Sequence, residues 1–204
     1  SNGAVVNTSL GTISLIAGGD ITVGQFVTTN ATSSAVLIRS TGGELIDGGD
    51  AGGADIVANS AGAVVTIETR DGVGTSAGNG ADAAIETQVD TLVLRNSTTG
   101  NVAIDEADAL RILELTQSAA GNVTVNAVGS LLLVGGNPGV TATSGTVTLS
   151  ATGAASNVTI DSKIQTTSGD IAVNAANSVT MGAAALIIST SGDVTVTADS
   201  DGND

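Results

Sequence analysis

The chain has 204 residues, 20 acidic and 5 basic side chains, a formal net charge of −15, and neither histidine nor cysteine. This charge excludes nucleic acid, whose binding needs clustered lysine and arginine, and disfavours anionic membranes; no apolar run is long enough for membrane insertion. Without histidine and cysteine, most nucleophilic catalysis and most zinc sites are excluded. Because Phe26 is the sole aromatic residue, the core must consist of small aliphatic side chains.

A short phrase recurs along the chain: a small residue, a polar residue and then alternating apolar positions. From Gly43 onward it returns at intervals of roughly 18 to 24 residues, which is the period of solenoid repeats. The alternation indicates strands, and the Gly, Ser, Asn and Asp residues between them indicate turns. The phrase begins at Gly11, Gly43, Gly62, Gly100, Gly121, Gly145, Gly169 and Gly192.

The repeat predicts an all-β fold, a parallel β-helix or β-solenoid of roughly nine rungs, over residues 11–198. A β-sandwich is the alternative, because its strands also recur at short spacing, but a sandwich core normally contains larger aromatic anchors. Residues 1–10 are an N-terminal segment with a candidate vector-derived remnant at 1–3, and residues 199–204 are an acidic tail or junction.

Three stretches depart from the simple repeat. The segments 48–59 and 71–84 are rich in glycine and irregular in period, and we expect them to loop out of the rungs. The segment 106–115 has the composition of a short helix, but its position relative to the phrase predicts a strand that corresponds to 128–134.

Acidic residues are the candidate cation ligands. Aligning the repeats on their last apolar position places four carboxylates in one column, ahead of Asn126: Asp47, Glu68, Glu86 and Asp105. Like charges on neighbouring strands are destabilising, so we expect relief from solvent, from arginine or from calcium, which binds several oxygen ligands. The alternative is a solvated acidic edge.

Two smaller patterns give further candidate residues. Asp199 and Asp201 begin an Asp-x-Asp-Gly sequence like that of calcium loops, although a flexible terminus explains them equally. Asn101, Asn122 and Asn157 precede equivalent valines, so their side chains are predicted to form a structural ladder from rung to rung, with plain turn preference as the alternative.

The runs 121–127 (Gly-Asn-Val-Thr-Val-Asn-Ala) and 169–175 (Gly-Asp-Ile-Ala-Val-Asn-Ala) resemble the repeats of filamentous-haemagglutinin-like exoproteins and related giant bacterial surface adhesins. The resemblance extends from about Gly11 to Ala198. It implies a right-handed parallel β-helix, an extracellular location at the bacterial cell surface, and end-to-end contact with neighbouring modules or copies. No catalytic residue is carried over.

These observations predict a structural or adhesive module, a stiff spacer or fibre unit, and not an enzyme. No cofactor is expected apart from the candidate calcium. One alternative is a glycan- or protein-binding adhesin module that uses the loops at 48–59 and 71–84 to contact a host or matrix partner. A second is a carboxylate-dependent polysaccharide-degrading enzyme, because carboxylate pairs can hydrolyse glycosidic bonds without histidine.

Overall fold

The computed structural model describes residues 4–49, 53–77, 83–200 and 202, and none of these is helical. The described residues form a parallel β-solenoid of about eight turns, which confirms the predicted fold and excludes the sandwich. The right hand implied by the adhesin resemblance stays a prediction. The described part of the chain contains no helix that is long and apolar enough to cross a membrane.

Short strands make up every turn. In chain order they are β1 (Val5–Thr8), β2 (Ile13–Ala17), β3 (Ile21–Val23), β4 (Gln25–Thr28), β5 (Val36–Ser40), β6 (Leu45–Asp47), β7 (Ile56–Ala58), β8 (Val64–Thr69), β9 (Val73–Ala77), β10 (Ile85–Val89), β11 (Thr91–Asn96), β12 (Val102–Glu106), β13 (Leu110–Ala120), β14 (Val123–Ala127), β15 (Leu131–Leu133), β16 (Gly139–Ser144), β17 (Val147–Ala151), β18 (Val158–Ile160), β19 (Lys163–Ser168), β20 (Ile171–Ala175), β21 (Val179–Met181), β22 (Leu186–Ser189) and β23 (Val194–Thr197). The first turn thus begins within the predicted N-terminal segment.

The first sheet has two branches that join at β12. Its main path runs β1-β4-β7-β10-β12-β14-β17-β20-β23, while β3, β6 and β9 form a shorter branch beside the first four strands. β9 pairs with Val102 and β10 pairs with Ile104, so β12 continues both branches as one strand. In the earlier turns the corresponding strand is divided in two, as β3 and β4, as β6 and β7, and as β9 and β10.

The second sheet branches in the opposite half of the molecule. Its main path runs β2-β5-β8-β11-β13-β15-β18-β21, and β16, β19 and β22 form the second branch. β13 has 11 residues and pairs with both β15 and β16, so the predicted strand over 106–115 is confirmed for the part from Leu110 onward. A register shift opposite Leu92 and Val93 leaves Leu113 as a bulge in β13.

The irregular segments are only partly loops. The expectation that 48–59 and 71–84 leave the rungs is wrong for β7 and β9, which pair in the first sheet. Ile56 and Val73 occupy core positions there and are fully buried, because the apolar alternation resumes within each Gly-rich segment.

Aliphatic columns fill the interior. Strands such as β12, β14, β17 and β20 alternate buried and partly exposed residues, and register pairs identical positions of successive turns. Burying one Val, Leu or Ile side chain contributes about 1.5–3 kcal/mol, so the stacked columns are the main source of stability. One such column contains Ile104, Val125, Leu149 and Val173, all of them fully buried.

Glycines stack at one corner of the solenoid, and they are the glycines that begin the recurrent phrase from Gly100 onward. At each of them a Cβ would meet the carbonyl group of the glycine one turn earlier: Gly121 meets Gly100, Gly145 meets Gly121, Gly169 meets Gly145 and Gly192 meets Gly169. The turns approach each other too closely there for any side chain. In this column the phrase therefore begins with glycine because of contact between turns.

The candidate asparagine residues accept hydrogen bonds from the next turn, but they occupy two corners. The backbone N–H of Asn122 donates to Oδ1 of Asn101 at 2.9 Å, and that of Thr146 donates to Oδ1 of Asn122 at the same distance. Asn157 precedes β18 in the second sheet, where Ser178 N–H donates to its Oδ1 at 3.1 Å. The acceptors bind backbone N–H groups at each of these three positions.

Replacing Asn122 with alanine should lower the free energy of unfolding by about 1 kcal/mol, because the Thr146 N–H loses its acceptor at 2.9 Å. Asn122→Asp is the matched control, since Asp170 Oδ1 accepts from the Asp193 N–H in the same way at 2.9 Å. Urea denaturation followed by circular dichroism measures both variants. Equal losses for alanine and aspartate would contradict the assigned role of the side-chain oxygen.

Candidate metal centre

Three acidic residues meet where the first sheet divides into its two branches. Asp47 is the last residue of β6, Asp55 directly precedes β7, and Glu86 is the second residue of β10. Backbone hydrogen bonds hold Asp55 between two turns. Its N–H donates to the Glu86 carbonyl at 2.8 Å, and its carbonyl accepts from the Phe26 N–H at 2.7 Å. The insertion between β6 and β7 thus brings two carboxylates of one turn against a third from the next.

The three carboxylates form a compact cluster. One oxygen from each of Asp47, Asp55 and Glu86 lies within 4.8 Å of the other two. Asp47 is 0% exposed and Asp55 is 1% exposed, whereas Glu86 is partly exposed. Oδ1 of Asp47 accepts a hydrogen bond from the Gly49 N–H at 2.6 Å. Among the described residues, no donor has hydrogen-bonding geometry toward Oδ2 of Asp47 or toward either oxygen of Asp55.

Burial and like charge act together on Asp55. Removal from water, together with the negative charges of Glu86 and Asp47, raises the pKa of its carboxyl to about 8. The nearness of the Glu86 side chain also raises the Asp55 pKa, and the nearby Glu86 backbone N–H, although not in hydrogen-bonding geometry, lowers it only in part. The Asp55 carboxyl therefore favours its protonated form at neutral pH unless a positive charge compensates it.

An open groove gives solvent a route to this cluster from the side of Glu86. Its volume is about 370 Å³, and it is lined by Gly53, Ala54, Glu86, Asp105 and Glu106 among others. Glu86 therefore faces water on one side, whereas the buried Asp47 and Asp55 do not line the groove.

A second buried acid, Glu106, lies at the end of β12 and has its own hydrogen-bond donors. Thr87 Oγ1 donates to Oε2 at 2.8 Å, and the Val89 and Asp108 N–H groups donate to Oε1 at 3.2 Å each. Desolvation nevertheless raises the pKa of Glu106 to about 8, helped by the Asp108 carboxylate, which can accept the proton of Glu106 in a hydrogen bond. Glu106 is thus a buried acid that is neutral at pH 7.

Glu68 lies far from this cluster, and the predicted column is wrong at that position. It belongs to β8 of the second sheet, where register places it between Arg39 and Arg95. It forms an ion pair with Arg39, and its Oε1 lies 3.2 Å from Arg95 Nη1; Arg95 Nε in turn donates to Glu114 Oε1 at 2.9 Å. Alternating charges on successive turns here replace the expected row of like charges.

The remaining predicted ligands occupy other places. Asp105 is in register with Glu86 and with Asn126, whose Nδ2 donates to Asp105 Oδ1 at 2.9 Å. Asp199 lies in the last turn with a left-handed φ of 52°, and its N–H donates to the Asn177 carbonyl at 2.8 Å. Asp201 lies outside the described residues. The structure thus brings together Asp47 and Glu86 from the predicted set, with Asp105 next to Glu86.

Asp55 is the residue that the sequence did not indicate. It lies in a Gly-rich segment expected to be a loop, and it does not follow an apolar strand as the aligned acids do. The signal available in the sequence was an acidic residue directly before Ile56 and Ala58, where the alternation of apolar residues resumes. Comparison with protein-family models, curated proteins and solved structures finds no match for this chain.

Proposed function

We propose that this chain is a stiff structural module that joins end to end with further solenoid turns, supplied by another copy of the same chain. Its setting would be the extracellular bacterial surface, which the repeat resemblance and the net charge of −15 support. The proposal rests above all on one observation, the distribution of exposed apolar side chains.

Those side chains concentrate at the two ends of the stack. Among the described residues, every exposed large apolar side chain except Val128 lies in the first or last turn. At the N-terminal end they are Val5, Val6, Leu10 and Ile16; at the C-terminal end they are Met181, Leu186, Ile188, Val194 and Val196. Val6, Met181, Val194 and Val196 pair with residues that are buried one turn further in, so they are core positions that a further turn would cover. Ile16, Leu186 and Ile188 pair with Arg39, Lys163 and Gln165 and lie on the outer face of the end turns.

The terminal strands also have unpaired edges. Within the described part of the chain, β1 pairs only with β4 and β2 only with β5, while β22 and β23 pair only with β19 and β20. An open strand edge readily pairs with another strand. Because the two ends differ, head-to-tail contact would be heterologous, which generates open filaments when the contact does not close a ring.

Continuous stacking between the ends supports the spacer role. About eight turns at a strand spacing of about 4.8 Å give a stack on the order of 40 Å long. Parallel pairing, the aliphatic columns and the Arg39–Glu68–Arg95–Glu114 ion pairs link successive turns along this length. Bending such a stack would require breaking several of these contacts at one turn.

Sedimentation velocity over a wide concentration range is expected to show head-to-tail association, strengthened by salt because salt screens the net negative charge. Val194→Lys combined with Val196→Lys should abolish it, since both side chains are 45% exposed on β23. Val128→Lys, at 57% exposure in the middle of the stack, is the matched control and should associate like the unmodified chain. A monomer at all concentrations and salt conditions, or equal effects of the end and middle variants, would contradict the proposal.

A further inference from the structure

We propose that Asp47, Asp55 and Glu86 bind a calcium ion that ties β6, β7 and β10 together where the first sheet divides. This site is additional to the structural role proposed above and does not depend on end-to-end contact. It rests on two independent observations, the convergence of three carboxylates and the unsatisfied oxygens buried among them.

The convergence provides the charge and the ligand type. Three carboxylates approach within 4.8 Å of one another, a separation that one ion can bridge at metal–oxygen distances of roughly 2.3–2.6 Å. They come from two successive turns of the main path and from the side branch, so an ion between them would connect segments that the insertion between β6 and β7 separates. Isolated surface acids would not make such a connection.

The buried oxygens point to a ligand. Oδ2 of Asp47 and both oxygens of Asp55 are buried and have no hydrogen-bond partner among the described residues, although these side chains are 0% and 1% exposed. A buried carboxylate without a partner is costly, and proteins normally supply a donor, a cation or a proton. The charged side chains that act on Asp55 are the acids Glu86 and Asp47, so the protein itself brings negative charge to this point.

The ligand chemistry favours a hard cation. All three side chains offer carboxylate oxygen, and the chain has neither histidine nor cysteine to supply the nitrogen or sulfur that zinc and copper prefer. Calcium accepts six to eight oxygen ligands in flexible geometry, whereas magnesium requires a compact octahedron. The groove beside Glu86 admits the water molecules that would complete the coordination of calcium.

Calorimetric titration of the EDTA-treated full chain with CaCl₂ is expected to show one ion bound per chain. Because the ion would bind only the folded chain, the melting temperature should rise by about 5–10 °C at a hundred-fold excess over Kd. The chain has no Trp or Tyr, so unfolding is followed by circular dichroism. Calcium should bind more tightly than MgCl₂ in the same titration.

Two variants test the assignment. Asp55→Asn and Asp47→Asn should each abolish the calcium-dependent shift, while the Asp55→Asn chain in EDTA should melt no lower than the unmodified chain because repulsion is relieved. Asp105→Asn is the matched control: it removes an acid in register with Glu86 but outside the cluster, and it should keep the shift.

Three results would overturn the site. They are no heat and no shift for the unmodified folded chain at millimolar calcium, a shift retained in both cluster variants, or a shift lost only in Asp105→Asn. The first of these would mean that the carboxylates are balanced by a shared proton alone. If the Asp47→Asn chain does not fold, the Asp55→Asn chain decides the matter, since its stability in EDTA shows independently that it is folded.

Discussion

Replacing Gly145 with alanine is expected to lower the free energy of unfolding by about 3 to 5 kcal/mol. Gly145 has a φ of +97°, which side-chain-bearing residues rarely adopt, and an added Cβ would lie 2.7 Å from the Gly121 carbonyl carbon. Both obstacles are backbone atoms or backbone angles, so no side-chain rotation can relieve them. Relief would require separating two turns and breaking the pairing between β14 and β17.

Gly18→Ala is the matched control for this substitution. A Cβ at Gly18 would meet nothing within 4 Å, and its φ is not left-handed, so its effect on the unfolding free energy should stay within about 0.5 kcal/mol. Midpoints of urea denaturation, followed by circular dichroism, measure both variants. If Gly145→Ala unfolds at the same urea concentration as Gly18→Ala, the glycine column does not set the spacing of the turns.

Glu106 should make the chain less stable as pH rises. Its pKa is about 8 in the folded chain and near the ordinary 4.5 when unfolded, so between these values the folded chain holds a proton that the unfolded chain has lost. Its stabilising contribution is therefore fully present below about pH 4.5 and is lost as pH rises to about 8. At up to about 1.4 kcal/mol per pH unit, the total is on the order of a few kcal/mol.

Glu106→Gln isolates this contribution, because the amide imitates the protonated carboxyl and can still donate to Asp108. Urea denaturation in EDTA at a series of pH values should show the two chains nearly equal in stability at pH 5 and the Gln variant clearly more stable above pH 8. The difference between the curves removes the contributions of the other acids. Parallel curves across this range would show that Glu106 is ionised in the folded chain at neutral pH.

The sequence predicted the fold because a solenoid repeats one local pattern in every turn. The glycine that begins each phrase, the polar residue after it and the alternating aliphatic residues are all visible without coordinates, and β14, β17 and β20 follow them closely. The strand predicted over 106–115 was likewise confirmed from Leu110 onward, although its extension to Ala120 was not predicted. The turn count was close, at roughly nine expected against about eight observed.

The assignment of strands to sheets was not predictable from the same pattern. β8 and β12 both read as a glycine followed by alternating apolar residues, yet they belong to different sheets. Alignment on that pattern therefore put Glu68 among the first-sheet acids, whereas in the structure it lies between two arginines of the second sheet. Local alternation reports that a strand has a buried face, but not which sheet contains it.

Asp55 shows the same limit at the candidate metal centre. The sequence indicated Asp47 and Glu86, but the third carboxylate reaches them only because β7 resumes the main path of the first sheet after the insertion. Its burial and its raised pKa of about 8 follow from neighbours in other turns. No window of sequence around residue 55 contains that information.

The sequence by itself determined that this chain winds into stacked parallel turns with an aliphatic interior, since the alternation and the turn residues are local and repeated requirements. The tertiary structure alone decided where the sheets branch, which acids meet and which are paired with arginine. Those outcomes depend on the register between turns, and register is set by contacts between residues that are distant along the chain.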